Sequence, residues 1–163
     1  MRRNACRWHS ATSCSKRMHI IDRITRPTDQ ETHAIIDRVA LTWEQRHKCR
    51  QRLVTMQGCE IALALPTGSR LQDGDLLSVP GGWIAVVLAL EDVLLVRPRS
   101  LQEIAFVAHQ IGNRHLPLEI GEHWLKTLFE PVLETYLRQQ GIAVERSQLP
   151  FTPVNATSGH RHP

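Results

Sequence analysis

The stretch SLQEIAFVAHQIGNRHLPLEI (residues 100–120) contains the change from helix to strand on which the fold of the second half depends. Ser100 and Glu103 form an S-x-x-E capping box, which predicts the start of a helix. Gly112 suits the left-handed position that follows the end of a helix. Between these signals, apolar residues recur at helical spacing, namely Leu101, Ile104, Ala105, Ala108 and Ile111. The stretch therefore predicts a helix that is followed by a strand.

The rest of the second half supplies further strands and a second helix. "VLLVRP" and "IAVERSQL" predict strands, and "HLPLEI" and "HWLKTL" predict two strands that are joined by a tight turn. "EPVLETYLRQQG" predicts a helix with Pro131 in its first turn and Gly141 after its end. The order strand, helix, strand, strand, helix, strand is that of a ferredoxin-like domain. We predict such a domain in residues 93–152.

Residues 18–92 are dominated by short extended runs. Turns that contain Gly, Pro and Asp separate these runs, a pattern that is typical of a small barrel or sandwich. The runs are "HIIDRI", "DRVALTW", "RLVTM", "EIALAL", "DLLSV" and "WIAVVLAL". We predict an all-β domain here, and an α+β fold class for the chain as a whole.

The two ends of the chain are excluded from this fold. Residues 1–17 contain five Lys and Arg and no acidic residue, a composition that is typical of a transit peptide. A true start at Met18 is the simpler explanation, and we expect residues 1–17 to be a disordered leader. Residues 153–163 contain Pro, Ser and Gly, and we expect them to form a flexible tail.

The charge distribution argues against a nucleic-acid partner. The chain has 20 Lys and Arg and 16 Asp and Glu, and five of the basic residues lie in the leader. The remainder is therefore slightly acidic and offers no global basic field to a phosphate backbone. The longest apolar runs are far shorter than the roughly 20 residues that span a bilayer. With no secretory signal and no C-x-x-C pair, we expect a cytoplasmic protein without a membrane segment.

Three histidines near the quoted stretch are candidate metal ligands, and each has a plainer structural explanation. His115 can bond the last carbonyl groups of the helix, with Arg114 as a second donor and Asn113 as a turn former. His109 lies on the helix outside the apolar stripe, and His123 opens a strand after a turn. Both positions are typical of surface residues.

The end of the tail carries two more candidates, His160 and His162, in the sequence GHRHP. Neutral imidazole binds borderline metals such as Ni²⁺, Cu²⁺ and Zn²⁺. Two histidines make a weak motif, so a solvated tail without function is the alternative.

The sequence does not predict an enzyme. No Ser or Cys lies in a nucleophile turn such as G-x-S-x-G, and Glu91 and Asp92 are adjacent, so on a strand they face opposite sides. The Arg-rich stretch "EQRHKCRQR" (44–52) is either a solvated face or a docking surface for an acidic partner protein, through Arg50 and Arg52.

The motif GNRHLPLEI (112–120) resembles the signature of the UreE urease accessory proteins, a family of nickel metallochaperones. Other segments agree with the family in the same order along the chain. They are "RQRLVTMQGCEIALALPTGSRLQDGDLL", "EDVLLV", "QGIAV", "PFTPV" and the histidine-bearing end. The resemblance covers residues 18–163.

The resemblance implies an N-terminal β domain that binds partner proteins or peptides, and a C-terminal ferredoxin-like domain that binds metal and forms a homodimer. It implies that His115 meets its twin around one Ni²⁺, with His160 and His162 as further ligands. Under twofold symmetry a single His115 supplies two ligands, because an isologous interface presents the same residue from both sides. The ten residues from Pro150 to His160 span roughly 17–19 Å as a flexible chain, so the tail can plausibly reach this site.

The implied role is not enzymatic: Ni²⁺ is collected and passed, together with the urease accessory GTPase and other urease maturation proteins, to apo-urease. Zn²⁺ and Cu²⁺ are possible competitors. The alternative is a protein-interaction or scaffold module of the urease maturation complex, for which metal binding is incidental.

The sequence departs from the family pattern in three places. Gln110 stands where many members have a histidine, with His109 one place earlier, and Pro131 stands where many have another histidine. The tail holds two histidines, whereas some relatives end in long histidine-rich runs. We therefore expect one metal ion per dimer instead of storage of several.

Overall fold

The computed structural model describes residues 18–26 and 34–154, which form eleven strands and three helices. The elements before Ala89 are almost all strands and are called the N-terminal domain here. Those after Ala89 alternate strands with helices and are called the C-terminal domain. The chain is thus an α+β protein of two domains. No helix in the described part of the chain has the length and apolar character that crossing a membrane requires.

The N-terminal domain consists of two sheets that share one apolar core. Its elements are β1 (His19–Ile21), β2 (Ile24–Thr25), β3 (Ile35–Leu41), α1 (Trp43–Arg46), β4 (Arg50–Val54), β5 (Glu60–Ala64), β6 (Leu76–Val79) and β7 (Gly82–Leu88). The sheets have the orders β1-β5-β4 and β2-β6-β7-β3. Strands of both sheets contribute to the core, for example Ile61 of β5 and Val86 of β7. Burial of this shared apolar surface holds the two sheets together.

The C-terminal domain is one antiparallel sheet with two helices. Its elements are β8 (Leu90–Val96), α2 (Leu101–Asn113), β9 (Leu118–Ile120), β10 (Leu125–Leu128), α3 (Pro131–Gln139) and β11 (Val144–Pro150). The strand order is β11-β8-β10-β9. Val107 of α2, Leu133 of α3 and Leu94 of β8 belong to one core cluster, so both helices pack on the same face of the sheet.

The start of α2 agrees with the sequence only in part. The Ser100 hydroxyl accepts a hydrogen bond from the Glu103 N–H at 3.1 Å, which is the first half of a capping box. The Glu103 carboxylate accepts from the N–H of Arg99 instead of Ser100. The predicted apolar stripe is also wrong at Leu101 and Ala105, which are exposed, because the helix buries a face centred on Val107.

The end of α2 lies later than the sequence predicts. Gly112 is still helical, and the left-handed residue is His115, with φ of 55°. The His115 N–H donates to the Gly112 carbonyl at 2.9 Å, and the Leu116 N–H donates to the Ile111 carbonyl at 3.2 Å. This pair of bonds is a Schellman motif with His115 at the left-handed position.

The residues after β11 form an ordered segment, Phe151–Val154, which we call the strap. Phe151 and Pro153 are buried, whereas Thr152 and Val154 are exposed. The strap leaves β11 at one edge of the sheet, and its Val154 N–H donates to the Leu118 carbonyl of β9, the opposite edge strand, at 2.8 Å. The Phe151 ring also lies edge-on to the Trp43 ring of the N-terminal domain, at 6.4 Å between centroids. The strap therefore crosses the sheet and contacts both domains.

Candidate metal centre

His115 is an exposed imidazole at the end of α2. Because the Schellman bonds fix its backbone and Leu116 packs against the C-terminal core, the main chain beneath the ring is held in place. Among the described residues, His115 is the only non-glycine residue with a positive φ. A left-handed conformation costs a residue with a Cβ about 1–2 kcal/mol relative to the right-handed one. An exposed imidazole on a fixed backbone can bind a metal ion without rearrangement of the fold.

The other residues of the motif are bonded back along α2. The Asn113 side-chain nitrogen lies 2.9 Å from Nε2 of His109. The Arg114 guanidinium donates to both the carbonyl and the side-chain oxygen of Gln110, at 3.0 Å each. Its Cζ also lies 5.5 Å from the centre of the Tyr136 ring, which ties the end of α2 to α3. Asn113 and Arg114 thus support the helix end that carries His115.

The two weaker candidates lie in different surroundings from His115. Nε2 of His109 is already occupied by its contact with Asn113, so a metal ion would have to compete with that contact. His123 is exposed in the turn after β9, 3.6 Å from the Glu122 carboxylate, whereas His115 precedes β9. The strand therefore separates His123 from His115.

A complete set of metal ligands is absent from the described residues of the chain. Within 18–26 and 34–154, no three His, Cys, Asp or Glu side chains come together in a way that could hold a metal ion. His160 and His162 lie outside the described residues. Among the described residues of the chain, His115 can provide only part of a metal site.

Two further surface features contact residues close to His115 in the sequence. The first is a shallow groove on α3, next to the Arg114–Tyr136 contact. Its lining residues are Pro131, Val132, Thr135, Tyr136 and Gln139. Val132 is an apolar residue of this groove and is 66% exposed. The second is the end of the strap, where Val154 is bonded to Leu118, three residues after His115.

Arg50 and Arg52 lie on the N-terminal domain, away from this site in sequence. Both are exposed on β4, where they pair across the sheet with Ala64 and Ala62 of β5. Because alternate residues of a strand face the same side, the two arginines share one outward surface with these small residues. The sequence prediction that they are surface residues is consistent with this placement.

The ion pair between Glu119 and Lys126 was missed by the sequence reasoning. The two residues lie opposite each other on β9 and β10, with 3.0 Å between Glu119 Oε2 and Lys126 Nζ. They stand at equal distances from the centre of the turn between the two strands, so hairpin register could have paired them from the sequence. Their contacts with the strap join strands that are distant in sequence, and no local pattern predicts them.

Both domains match one family of known proteins. Residues 18–90 match the model of the UreE urease accessory protein N-terminal domain, and residues 91–163 match that of the C-terminal domain. The chain is 35% identical over 151 residues to a protein named urease accessory protein UreE from Paraburkholderia xenovorans, which covers 89% of this chain and 67% of the relative.

Two further relatives carry the same name. One from Burkholderia thailandensis is 37% identical over 151 residues, which is 89% of this chain and 71% of the relative. One from a Synechococcus species is 42% identical over 125 residues, which is 75% of this chain and 82% of the relative. Since both domain models match and these relatives align over most of their length, the chain belongs to the UreE family of urease accessory proteins.

Proposed function

We propose that this protein is a metallochaperone that binds Ni²⁺ and delivers it for assembly of the urease active site. The observation that carries the proposal is the placement of His115: an exposed imidazole on a rigid, left-handed helix end, in a chain of the UreE family. A carrier needs an accessible site from which the metal can leave, and an exposed imidazole meets this need.

The second ligand of the proposed site is His115 of a second copy of the chain. The homodimer is supported by the groove on α3, whose exposed Val132 offers apolar surface close to the helix end that carries His115. The Arg114–Tyr136 contact connects the groove to the motif, so one surface includes both. A twofold axis through this surface brings two equivalent imidazoles together.

The tail supplies the remaining ligands in this proposal. Because Val154 is bonded to Leu118, the chain beyond the strap begins close to His115. His160 is the sixth residue after Val154, and a chain of that length reaches at most roughly 20–22 Å. His160 and His162 can therefore join the two interface imidazoles in a nitrogen-rich site of the kind that Ni²⁺ prefers. Zn²⁺ and Cu²⁺ favour similar ligands and are the expected competitors.

The C-terminal domain has a proposed ferredoxin-like fold. Its proposed roles are metal binding and dimerisation. Its strand order β11-β8-β10-β9, with both helices on one face, supports that assignment. The N-terminal domain is the proposed partner-binding or peptide-binding unit, with Arg50 and Arg52 on its outward sheet face. The proposed partners are the urease accessory GTPase, other urease maturation proteins and apo-urease, in the cytoplasm.

Equilibrium dialysis against Ni²⁺, combined with light scattering for mass, tests the proposal. The wild-type protein is expected to bind one Ni²⁺ per dimer, and His115→Ala to weaken binding by more than about tenfold, because both interface ligands are lost. His123→Ala is the matched control, since it removes an exposed imidazole beyond β9 and should leave binding unchanged. Unchanged affinity and stoichiometry in His115→Ala would refute the carrier mechanism.

The pH dependence provides a second check of imidazole ligation. Metal binding requires neutral imidazole, so the affinity for Ni²⁺ is expected to fall as the pH is lowered and protons compete with the metal for the ring nitrogens. The same titration on His160→Ala/His162→Ala should start from a lower affinity and leave the dimer intact. Loss of the dimer in that variant would contradict the placement of the tail.

The second candidate function is a scaffold of the urease maturation complex with incidental metal binding. It is supported by the exposed pair Arg50 and Arg52, whose sheet face also exposes the apolar residues Ile20 and Val54. The two positive charges on this face suit an acidic partner. Urease activation in cells that carry His115→Ala separates the two functions. Normal activation by this variant would favour the scaffold, whereas loss that excess nickel restores would favour the carrier.

A further inference from the structure

The backbone of residues 150–152 is held by three charged side chains. Lys126 Nζ donates to the Pro150 carbonyl at 2.6 Å. The Arg46 guanidinium donates to the Phe151 carbonyl, and the Glu119 carboxylate accepts from the Thr152 N–H at 2.6 Å. We call Arg46, Glu119 and Lys126 the charged clamp. Three consecutive residues, the last of β11 and the first two of the strap, thus each make a charge-assisted hydrogen bond, the stronger class of such bonds.

The clamp is buried to an extent that is unusual for charged residues. Lys126 and Arg46 are only 7% and 6% exposed. Burial lowers the pKa of the Arg46 guanidinium, and the acidic groups that oppose this effect are Glu91, Asp73 and Glu119. A buried ion pair adds little to stability compared with apolar residues of the same size, because both charges must lose their water. The charged residues at these positions are therefore better explained by the fixed hydrogen-bond geometry that they give to residues 150–152 than by a gain in stability.

The clamp combines residues of both domains. Arg46 is the last residue of α1 in the N-terminal domain, whereas Glu119 and Lys126 lie on β9 and β10 of the C-terminal domain. Because Glu119 and Lys126 alternate with Leu118 and Leu125, which belong to the helix-covered core, the clamp occupies the opposite face of the sheet. The strap runs over this face and ends at Leu118, which follows His115 by three residues.

We infer that Arg46, Glu119 and Lys126 are positioning residues that fix the point at which the C-terminal tail leaves the domain, next to His115. This inference rests on the proposed function, in which the tail histidines complete the nickel site. Without the clamp, Val154 is no longer held at Leu118, and the tail histidines start from the distant edge strand β11. The clamp then contributes to nickel affinity only through the tail.

Lys126→Met tests the inference in the full-length chain, because it removes the charge and the donor but keeps an apolar stem in place. Arg138→Met is the matched control, since it breaks an ion pair of 2.9 Å on the surface of α3. Amide hydrogen exchange, measured without metal, is expected to become about tenfold faster at Thr152 and Val154 in Lys126→Met, and to stay unchanged in Arg138→Met. Lys126→Arg, which keeps the charge and the donor, should restore slow exchange.

Nickel titration then separates positioning from a general loss of structure. Lys126→Met is expected to lower the affinity for Ni²⁺ by about tenfold in the wild-type background. The same substitution should change the affinity less than about twofold in His160→Ala/His162→Ala, where no tail ligand remains to be positioned. Glu119→Gln, which keeps an acceptor for the Thr152 N–H, should show a smaller loss than Lys126→Met.

The exchange rates and nickel affinities distinguish a positioning role of the clamp from an effect on the stability of the domain. Equal losses of affinity with and without the tail histidines would overturn the inference, because the clamp would then act only on the stability of the domain. Unchanged exchange at Val154 in Lys126→Met would also overturn it. Failure of the wild-type protein to bind Ni²⁺ would instead refute the proposed function and the metal role of the clamp, while the exchange rates would still decide whether the clamp positions the strap.

Discussion

His115 and Gly141 occupy the same position in two equivalent helix ends. After α3, the Gly141 N–H donates to the Arg138 carbonyl and the Ile142 N–H to the Leu137 carbonyl, with φ of 72° at Gly141. After α2, the same motif has a histidine in place of the glycine. Glycine adopts the left-handed conformation without strain, whereas the Cβ of a histidine makes that conformation unfavourable. An imidazole at this position therefore reduces stability, which is the expected signature of a functional residue.

This comparison predicts opposite effects of glycine on stability and on metal binding. His115→Gly is expected to raise the free energy of unfolding by about 1 kcal/mol, because glycine adopts the left-handed conformation without strain. His115→Ala, which keeps a Cβ, should stay within about 0.5 kcal/mol of wild type. Urea unfolding of the metal-free protein measures both variants, and both should lose nickel affinity.

Gly141→Ala is the control for the His115 prediction. Its Cβ would meet no atom within 4 Å, so only the left-handed φ opposes the substitution, and a loss of about 1 kcal/mol is expected. If His115→Gly were less stable than wild type while Gly141→Ala behaved as expected, the strain at His115 would be excluded.

The sequence placed the left-handed residue after α2 at Gly112, because a local rule for helix ends does not include contacts with the core. A left-handed Gly112 would place the polar Asn113 at the next position, where the Schellman motif favours an apolar residue. With His115 left-handed, that position is Leu116, which packs against the core that includes Ile111. Contact with the core therefore decides where the helix ends. The sequence predicted a left-handed residue after the helix but placed it at Gly112 instead of His115, because the rule considers glycine but not the partner surface.

At the scale of elements, the sequence predicted most of the strands and both long helices of the C-terminal domain. Pro131 does occupy the first turn of α3, and Gly141 does follow its end. The cap of that helix was missed: the Glu130 carboxylate accepts from the N–H groups of both Val132 and Leu133, at 3.0 and 2.6 Å. Glutamate is uncommon at this position, so capping preferences alone do not indicate it.

One side-chain pair joins the edge strand β11 to its neighbour β8. Arg146 donates to both carboxylate oxygens of Asp92, with a shortest contact of 2.5 Å, and its guanidinium lies 3.7 Å from the centre of the Phe129 ring. Hydrogen bonding with Arg146 lowers the pKa of the Asp92 carboxyl below its ordinary 3.8. The folded state therefore favours the charged carboxylate, and the stability this provides is present above the ordinary pKa and lost as the pH falls through the lowered one.

Asp92→Asn is expected to lower the urea midpoint at neutral pH, because the amide carries no charge to attract Arg146. The difference from wild type should shrink below about pH 4, where the wild-type carboxyl also begins to lose its charge. Urea unfolding at a series of pH values measures this difference. Glu122→Gln, on an exposed turn, is the control and should leave the midpoint unchanged. If the urea midpoints of Asp92→Asn and wild type differed by the same amount at pH 3 and pH 7, the stabilising role of the charged Asp92 would be contradicted.

At the scale of the whole molecule, the two domains have separate cores and are joined by few groups. The Trp43 N–H donates to the Glu91 carboxylate at 2.7 Å, and burial raises the pKa of that carboxyl. Phe151, which is fully buried, adds the aromatic contact with Trp43. Sequence patterns described each domain but not this junction, because its contacts connect residues about 50 to 100 positions apart.

Phe151→Ala tests the importance of the strap for the whole fold. Removal of a fully buried aromatic ring is expected to lower the free energy of unfolding by about 3–5 kcal/mol, since it leaves a cavity between the strap and the domains. Chemical unfolding measures the loss. Leu101→Ala is the control, because Leu101 is 83% exposed and its truncation should cost less than about 0.5 kcal/mol. A loss below about 1 kcal/mol for Phe151→Ala would show that the strap is not part of the folded core.

The anchorage of Val154 at Leu118 also has a consequence for competition between the protein and other nickel ligands. A short tether that begins next to a site presents its ligands there at an effective concentration in the millimolar range. For the proposed nickel site, a free chelator would have to approach that concentration before it competed with the tail histidines. A docked protein that displaced the strap would remove this advantage without any competing ligand. Handover of the metal would then depend on contact with a partner, and small nickel-binding molecules in the cell would have little access to the cargo.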